Sequence, residues 1–282
     1  MEILITGANS YIGECIISHC SKNKDLKFTQ LEVITEEWKK EDFSRYDVII
    51  HLAAIVHRPK TAEEVYEKVN YELALNIANK AKKEKVKQFI FFSTASVYGN
   101  IEGKIDLQTI EKPSNYYGKS KLKAELELQK LQNEEFKLCI IRPPMVYGKG
   151  CKGNYCSLSK IAKKSLVFPK VENKRSMIYI ENLCEFIKLM ILNCESGIFF
   201  PQDKEFVNTS DMVKYIANEN NHKIFLSRFF SIFVKIGLHL PGKIGRLCNK
   251  AFGDLYYDME MSEYKIDYRI KTLEEAIKET ES

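Results

Sequence analysis

Tyr117 and Lys121 stand four residues apart in a run, Tyr116 to Gln132, whose pattern predicts an amphipathic helix, so their side chains share one helix face. A phenol, with an ordinary pKa of about 10, is a poor base at neutral pH, but a nearby positive charge stabilises its phenolate. Upstream, in Ser93-Thr94-Ala95-Ser96-Val97-Tyr98-Gly99, Thr94 offers a hydroxyl able to bond the same substrate oxygen and steady the charge developing there. The ordered set Thr94, Tyr117 and Lys121 points to removal of a proton from a hydroxyl whose carbon also gives up hydride. Tyr116 is the rival base, but the residue four further on is Ser120, not a lysine.

A hydride needs an acceptor, and the start of the chain suggests where one would sit. Glu2 to Thr6 reads as a short apolar strand, Gly7-Ala8-Asn9-Ser10-Tyr11-Ile12-Gly13 as a tight turn, and the residues through Ile17 as a helix. Such a turn lets backbone N–H groups and the helix dipole approach a pyrophosphate, although Ser10 occupies the place where a middle glycine is expected. Glu32 follows Gly7 by 25 residues, near the end of a second strand, where a carboxylate accepts hydrogen bonds from an adenosine ribose. That favours NAD over NADP, whose 2′-phosphate it would repel. Small residues after the third strand, in His51-Leu52-Ala53-Ala54, allow a flat cofactor to lie against the backbone.

The positioning elements follow from the apolar runs. Strands are predicted at Thr29 to Ile34, Val48 to Leu52, Gln88 to Ser93 and Leu138 to Arg142. Between them, Ala62 to Lys85 carries Val65, Val69, Leu73, Ile77 and Ala81 at four-residue spacing, a helical stripe. Alternating strands and helices with right-handed crossovers predict an α/β fold: a doubly wound, Rossmann-like parallel sheet over residues 1–148, joined to a smaller C-terminal substrate-binding lobe over 149–282. Part of 176–200 is expected to return to the first domain.

The 282 residues, 45% of them hydrophobic, suffice for a full core. The 43 basic and 38 acidic residues are scattered, which argues against a nucleic-acid surface. Eight cysteines without a C-x-x-C pair, and an N-terminus that enters a strand without a signal peptide, fit a reducing cytoplasm. The stretch Phe225 to Leu240, broken by Arg228, Lys235 and His239, is too short to span a bilayer and reads as a buried amphipathic helix, with contact to a membrane surface as the alternative. No metal is expected.

With these pieces in order, the chain resembles the NAD-dependent epimerase/dehydratase family, the extended short-chain dehydrogenases that act on nucleotide sugars. The resemblance runs over nearly the whole length, through Thr6-Gly7 to Gly13, Asp42-Phe43, His51 to Ala54, Val69-Asn70, Ser93 to Gly99, Tyr117 to Lys121, Arg142-Pro143-Pro144-Met145-Val146-Tyr147-Gly148, and Arg175-Ser176-Met177-Ile178-Tyr179-Ile180. It implies that Tyr11 and Ile12 meet the cofactor pyrophosphate, Asp42 and Phe43 the adenine, and Leu52, Ala53 and Ala54 the central cofactor. It further implies that Pro144 passes near the nicotinamide, that Lys121 holds its ribose, and that Arg175 grips the substrate diphosphate, where a guanidinium fork suits two phosphate oxygens. Dehydratases of the family place Asp-Glu directly after the active-site threonine; here Ala95-Ser96 stands there, which removes the acid and base for dehydration. The expected activity is C4 epimerisation of a UDP-hexose or UDP-N-acetylhexosamine through a transient 4-keto sugar. A 4-keto-sugar reductase consuming NAD(P)H is the alternative, and a non-catalytic nucleotide-sensing or partner-binding relative the third reading. A homodimer is the assembly the resemblance implies.

Overall fold

The computed structural model describes residues 1–56 and 61–282. In chain order its elements begin with β1 (Glu2–Thr6), α1 (Tyr11–Cys20), β2 (Lys27–Leu31), β3 (Val48–His51), α2 (Glu63–Tyr66), a π-helical segment (Glu67–Glu72), α3 (Leu73–Lys83) and β4 (Gln88–Phe92). They continue through β5 (Gly103–Ile105), α4 (Tyr116–Gln129), β6 (Lys137–Ile141), β7 (Met145–Tyr147), α5 (Asn154–Lys164), β8 (Val167–Pro169), β9 (Met177–Tyr179) and α6 (Ile180–Leu192). The last are β10 (Gly197–Phe199), α7 (Thr209–Glu219), β11 (Phe225–Ser227), α8 (Arg228–His239), α9 (Gly242–Phe252), β12 (Leu255–Tyr257) and α10 (Leu273–Glu281). Two compact units form: Met1–Asn100 with Thr109–Pro143 and Leu183–Pro201, and Ile101–Gln108 with Pro144–Asn182 and Gln202–Ser282.

The first unit holds a six-stranded sheet in the order β2-β1-β3-β4-β6-β10, parallel throughout. The chain steps from β1 outward to β2, then returns past β1 to lay down β3, β4, β6 and β10 on the other side. This is the doubly wound α/β sheet expected from the alternation of elements, and the reversal opens a crevice at the carboxyl ends of β1 and β3. Alternation along the buried strands divides the core: Leu4, Ile49, Phe89, Phe91 and Ile140 point into one cluster. Ala74, Ile77, Ala78 and Ala81 of α3 and Ala124 and Leu128 of α4 complete it, the alanines bringing the helices close to the sheet. On α1 and α6, His19 and Glu185 meet at 2.8 Å.

Two local departures have physical causes. The second strand ends at Leu31 instead of running to Ile34, because the Glu32 carboxylate accepts hydrogen bonds from the N–H groups of Val33 (2.7 Å) and Ile34 (2.9 Å) and turns the chain away from the ladder. The helix predicted over Ala62 to Lys85 forms with a π-helical interruption, and in its first half the buried stripe is Tyr66, Asn70 and Ala74, one residue later than predicted. The wider turn holds a four-residue repeat on one side, which a regular 3.6-residue helix lets drift.

In the second unit three short parallel pairs, β5 with β12, β7 with β9 and β8 with β11, accompany the helices. Tyr155 and Lys163 of α5 both reach Glu281 of α10, each at 2.8 Å. The Asp203 carboxylate accepts from the Tyr179 N–H and from Asn182 Nδ2, at 3.0 and 2.8 Å, and burial pushes its pKa up to about 6. The stretch Phe225 to Leu240 contains α8, but its large apolar residues are not buried as expected. The side that α8 buries is the narrow one, Ser231, Val234 and Gly237, because Cys248 of α9 packs against Gly237. Among the described residues no helix is long and apolar enough to cross a membrane.

Candidate active site

At the end of β1, Gly7 takes φ +99°, a left-handed conformation that side chains resist, and a Cβ there would lie 2.8 Å from the Ala53 nitrogen. The Leu52 and Ala53 N–H groups donate to the Thr6 carbonyl at 2.9 and 3.0 Å, so the glycine turn and Leu52-Ala53-Ala54 converge at the sheet crevice. Ser10 is the N-cap of α1, yet its side chain caps nothing: its Oγ lies beside Gly13 and has no protein partner among the described residues. The N–H groups of the first helical turn, which includes Tyr11, Ile12 and Gly13, are therefore not consumed by a side-chain cap. An uncapped helix N-terminus behind a glycine cradle fits the pyrophosphate of a dinucleotide. Asn9, at φ 59°, is fixed by Gln30 Oε1 at 2.9 Å, and Gln30 in turn donates to Glu14 at 2.6 Å. Gln30 was not singled out in the sequence; a polar residue near the end of a strand that leads to the crevice is the signal that could have found it.

Glu32 follows β2 directly, and among the described residues only its Oε1 is engaged, by Val33 and Ile34. Asp42 is exposed and caps the turn Phe43–Arg45 by accepting from the Ser44 hydroxyl at 2.6 Å and the Ser44 N–H at 3.0 Å, bonds that hold its carboxyl below the usual range. Phe43 differs: its ring is fully buried in the core cluster and its N–H donates to Glu84 at 2.6 Å, so only Asp42 of this pair presents a side chain to solvent. His51 closes β3, with Nδ1 2.7 Å from Thr6 Oγ1 and its ring stacked between Phe89 and Phe91. Burial drives its pKa down to about 3, so it is a neutral part of the core.

Thr94 and Tyr117 meet beyond the carboxyl end of β4, and Lys121 reaches the Phe92 carbonyl at that same end. Asn115 caps α4 by accepting from the Gly118 N–H at 2.8 Å. Gly118 permits the approach of α4 to the Thr94 segment: a Cβ there would stand 2.4 Å from the Ser96 carbonyl oxygen. Tyr117 is buried and hydrogen-bonds to the Thr94 side chain, whose Oγ1 also accepts from the Ser96 N–H at 3.1 Å. Burial raises the Tyr117 pKa to about 12 against the lowering effect of that bond. Tyr116, by contrast, is 45% exposed, and its ring faces Lys119. Of the two tyrosines, α4 thus turns Tyr117 inward and leaves Tyr116 half-exposed.

Lys121 is buried one turn further along α4, donating to the Phe92 carbonyl at 2.8 Å with its ammonium 4.5 Å from the Phe91 ring centre. Burial lowers its pKa to about 7, opposed by Glu125. Between pH 7 and the ordinary lysine value of 10.5 the unfolded chain holds a proton that the folded one releases, so this group's contribution to stability improves as pH rises through that window. Lys121→Met should therefore be more stable than the unsubstituted protein at pH 7, with the gap closing toward pH 10; paired thermal unfolding at the two pH values measures it.

Two further groups brace this set. Asn70, buried on the π-helical segment, accepts from the Ile55 N–H at 2.8 Å and donates to the Ile55 carbonyl at 3.0 Å and to Ser120 Oγ at 3.1 Å. Glu125, one turn beyond Lys121, binds Ser93 Oγ and the Arg142 guanidinium, the latter through Nη2 at 2.5 Å and Nε at 3.1 Å. Neither Asn70 nor Glu125 had been given a role; Glu125 stands four residues beyond Lys121 on the helix face that carries Tyr117 and Lys121. In the second unit Pro144 is half-buried, and Arg175 donates from Nη1 to the Gly253 carbonyl at 2.8 Å. No carboxylate forms an ion pair with Arg175 among the described residues.

Residues 3–199 match the NAD dependent epimerase/dehydratase family. The chain is 28% identical over 271 residues, 89% of its length and 78% of the relative's, to an N-acetyl-alpha-D-glucosaminyl-diphospho-ditrans,octacis-undecaprenol 4-epimerase of Escherichia coli O157:H7. It is 29% identical over 249 residues, 77% of its length and 75% of the relative's, to a UDP-glucose 4-epimerase of Vibrio cholerae. Among solved structures, a UDP-glucuronic acid 4-epimerase of Bacillus cereus in complex with NAD has the same fold, with a TM-score of 0.77 at 19% identity over 99% of this chain and 95% of that one.

Proposed function

The chain belongs to the NAD-dependent epimerase/dehydratase family and is an NAD-dependent enzyme, and from that premise we propose that it is a 4-epimerase of a nucleotide-activated sugar, a UDP-hexose or UDP-N-acetylhexosamine. The observation that carries the reading is the buried Tyr117, hydrogen-bonded to Thr94, with Lys121 one turn behind it. Bound NAD would supply a reversible acceptor for the hydrogen on C4. The protein's own part is to take the proton from the C4 hydroxyl at Tyr117 Oη and return it, while Thr94 Oγ1 holds the same oxygen and Lys121, in its protonated form, would stabilise the phenolate. Gly7, Ser10, Tyr11, Ile12 and Gly13 would receive the pyrophosphate. Leu52, Ala53, Ala54 and Pro144 would flank the cofactor, and Glu32 would take the ribose through its remaining oxygen. Asp42 would meet the adenine with its side chain, Phe43 contributing backbone at most. A cytoplasmic location suits a soluble nucleotide-sugar substrate.

Ala95 and Ser96 support epimerisation over dehydration, since neither can act as the second acid or base after Thr94. Both sequence relatives carry 4-epimerase names. Proton NMR of UDP-glucose and UDP-N-acetylglucosamine incubated with purified protein and no added cofactor tests the reading: new anomeric signals from the C4 epimer are expected. Unchanged spectra with both sugars would overturn it in favour of a 4-keto-sugar reductase that consumes NAD(P)H.

Arg175 would grip the substrate diphosphate. Its guanidinium is largely buried yet, among the described residues, has only a backbone carbonyl as partner, which leaves donors for phosphate oxygens. Arg175→Ala should raise KM for the nucleotide sugar by about 10- to 100-fold, the worth of a hydrogen bond to a charged group, with a smaller change in kcat. Steady-state kinetics separates the two, and an unchanged KM would remove the arginine from the substrate site.

A further inference from the structure

On α8 the exposed residues Phe229, Ile232, Phe233 and Ile236 recur at the spacing of a single helix face, with Phe230 exposed beside them, and Ile244 and Leu247 extend the exposure onto α9. Phe230 apart, all show between 54% and 64% of their surface. The face is held outward by what lies behind it: Ser231 Oγ donates to the Lys170 carbonyl at 2.6 Å, Cys248 packs on Gly237, and Asn249 Nδ2 donates to the Leu238 carbonyl at 3.3 Å. Phe229, Phe230 and Phe233 form ring pairs with one another, at 5.5 to 6.4 Å. This hairpin therefore uses its narrow side for packing and leaves its broad apolar side uncovered.

Its charge is as lopsided as its hydrophobicity. From Arg228 to Phe252 there are five lysines and arginines, all exposed, and no aspartate or glutamate. The whole chain has 43 basic and 38 acidic residues, so outside this hairpin the two signs are equal and the entire formal net charge of +5 resides within it. None of the five cations forms an ion pair among the described residues. An aromatic and aliphatic face flanked by unpaired cations matches the headgroup boundary of an anionic bilayer. Helices of 12 and 11 residues are too short to cross one. A second copy of the same face would set five cations against five with no acid between them.

We propose that the α8–α9 hairpin docks the protein on an anionic membrane surface, with the apolar face entering the headgroup region and Arg228, Lys235, Lys243, Arg246 and Lys250 over lipid phosphates. The test is sedimentation of the purified full chain with phosphatidylcholine vesicles containing or lacking phosphatidylglycerol, and it uses no sugar substrate, so its outcome is independent of the enzymatic reading. Binding to the anionic vesicles alone, weakened by salt, is expected. Two sets of exposed substitutions, Phe229→Ser with Phe233→Ser and Lys243→Glu with Arg246→Glu, should each weaken binding by at least about tenfold, with unfolding temperatures unchanged. Absence of binding to anionic vesicles would overturn the proposal. So would light scattering that shows a dimer which the phenylalanine substitutions convert to monomer, since the face would then be an interface between copies of the chain.

Discussion

Tyr117→Phe is expected to lower kcat for C4 epimerisation by about 10²- to 10⁴-fold, the usual worth of a positioned proton-transfer group, while leaving substrate KM and bound NAD little changed. The substitution removes one oxygen from a buried ring and leaves the ring's packing intact. What it deletes is the hydrogen bond to Thr94 and the only phenol that α4 turns inward beside that threonine. Tyr116→Phe is the matched control: its ring is half in solvent, and its loss of a hydroxyl should change kcat by less than about twofold. With burial raising the Tyr117 pKa to about 12, the phenol is protonated at neutral pH before ligands bind, so proton abstraction depends on positive charge brought against it. A Tyr117→Phe enzyme with near-normal kcat would assign the proton transfer elsewhere.

The largest expected effect on stability is at Glu125. Glu125 and Arg142 are both almost wholly buried, and their pairing is completed by Ser93, by Tyr98 at 2.7 Å and by Glu111 at 2.8 Å from Arg142 Nη1. Glu125→Ala leaves the guanidinium with one part-exposed carboxylate and should cost about 3–5 kcal/mol. Replacing both partners, Glu125→Leu with Arg142→Met, should recover most of that loss, because the burial cost of an unpaired charge disappears. Trp38, the single tryptophan, is buried in the core cluster of the same unit and reports its unfolding in denaturant titrations. If the single and double variants unfold at the same midpoint, the pair contributes packing and not charge compensation. Since Ser93 precedes Thr94 directly, the same network steadies the backbone that carries the threonine.

Much of this could be read before the structure was known, for reasons that differ by element. The strands β1, β3, β4 and β6 are buried on both faces, so their near-continuous apolar runs are unambiguous. The end of β2 was not legible, because a side chain, Glu32, and not a change in hydrophobicity, stops it. In α4 the apolar residues are a poor guide: Leu126 is 53% exposed, whereas the buried face carries Tyr117, Lys121 and Glu125. A helix that presents chemistry inward inverts the usual pattern, so its inner face was found through the reactivity of Tyr117 and Lys121, and Glu125, which has no such signature, was overlooked. The same limit applied to α8, whose periodicity is that of any core helix; only the packing of Cys248 against Gly237 reveals that the apolar side faces out.

The clamp at Asn70 also bears on how this part of the molecule opens. One carboxamide ties the Ile55 main chain on one side to Ser120 on the other, and Ser120 donates back to the Tyr117 carbonyl at 3.0 Å. Ile55 after β3 and the first turns of α4, distant in sequence, are thus joined through Asn70, and the Ile55 amide cannot exchange through local fraying without breaking these bonds. They behave as one cooperative unit, with the protection of the Ile55 amide set by the stability of α4 and not by the loop it belongs to.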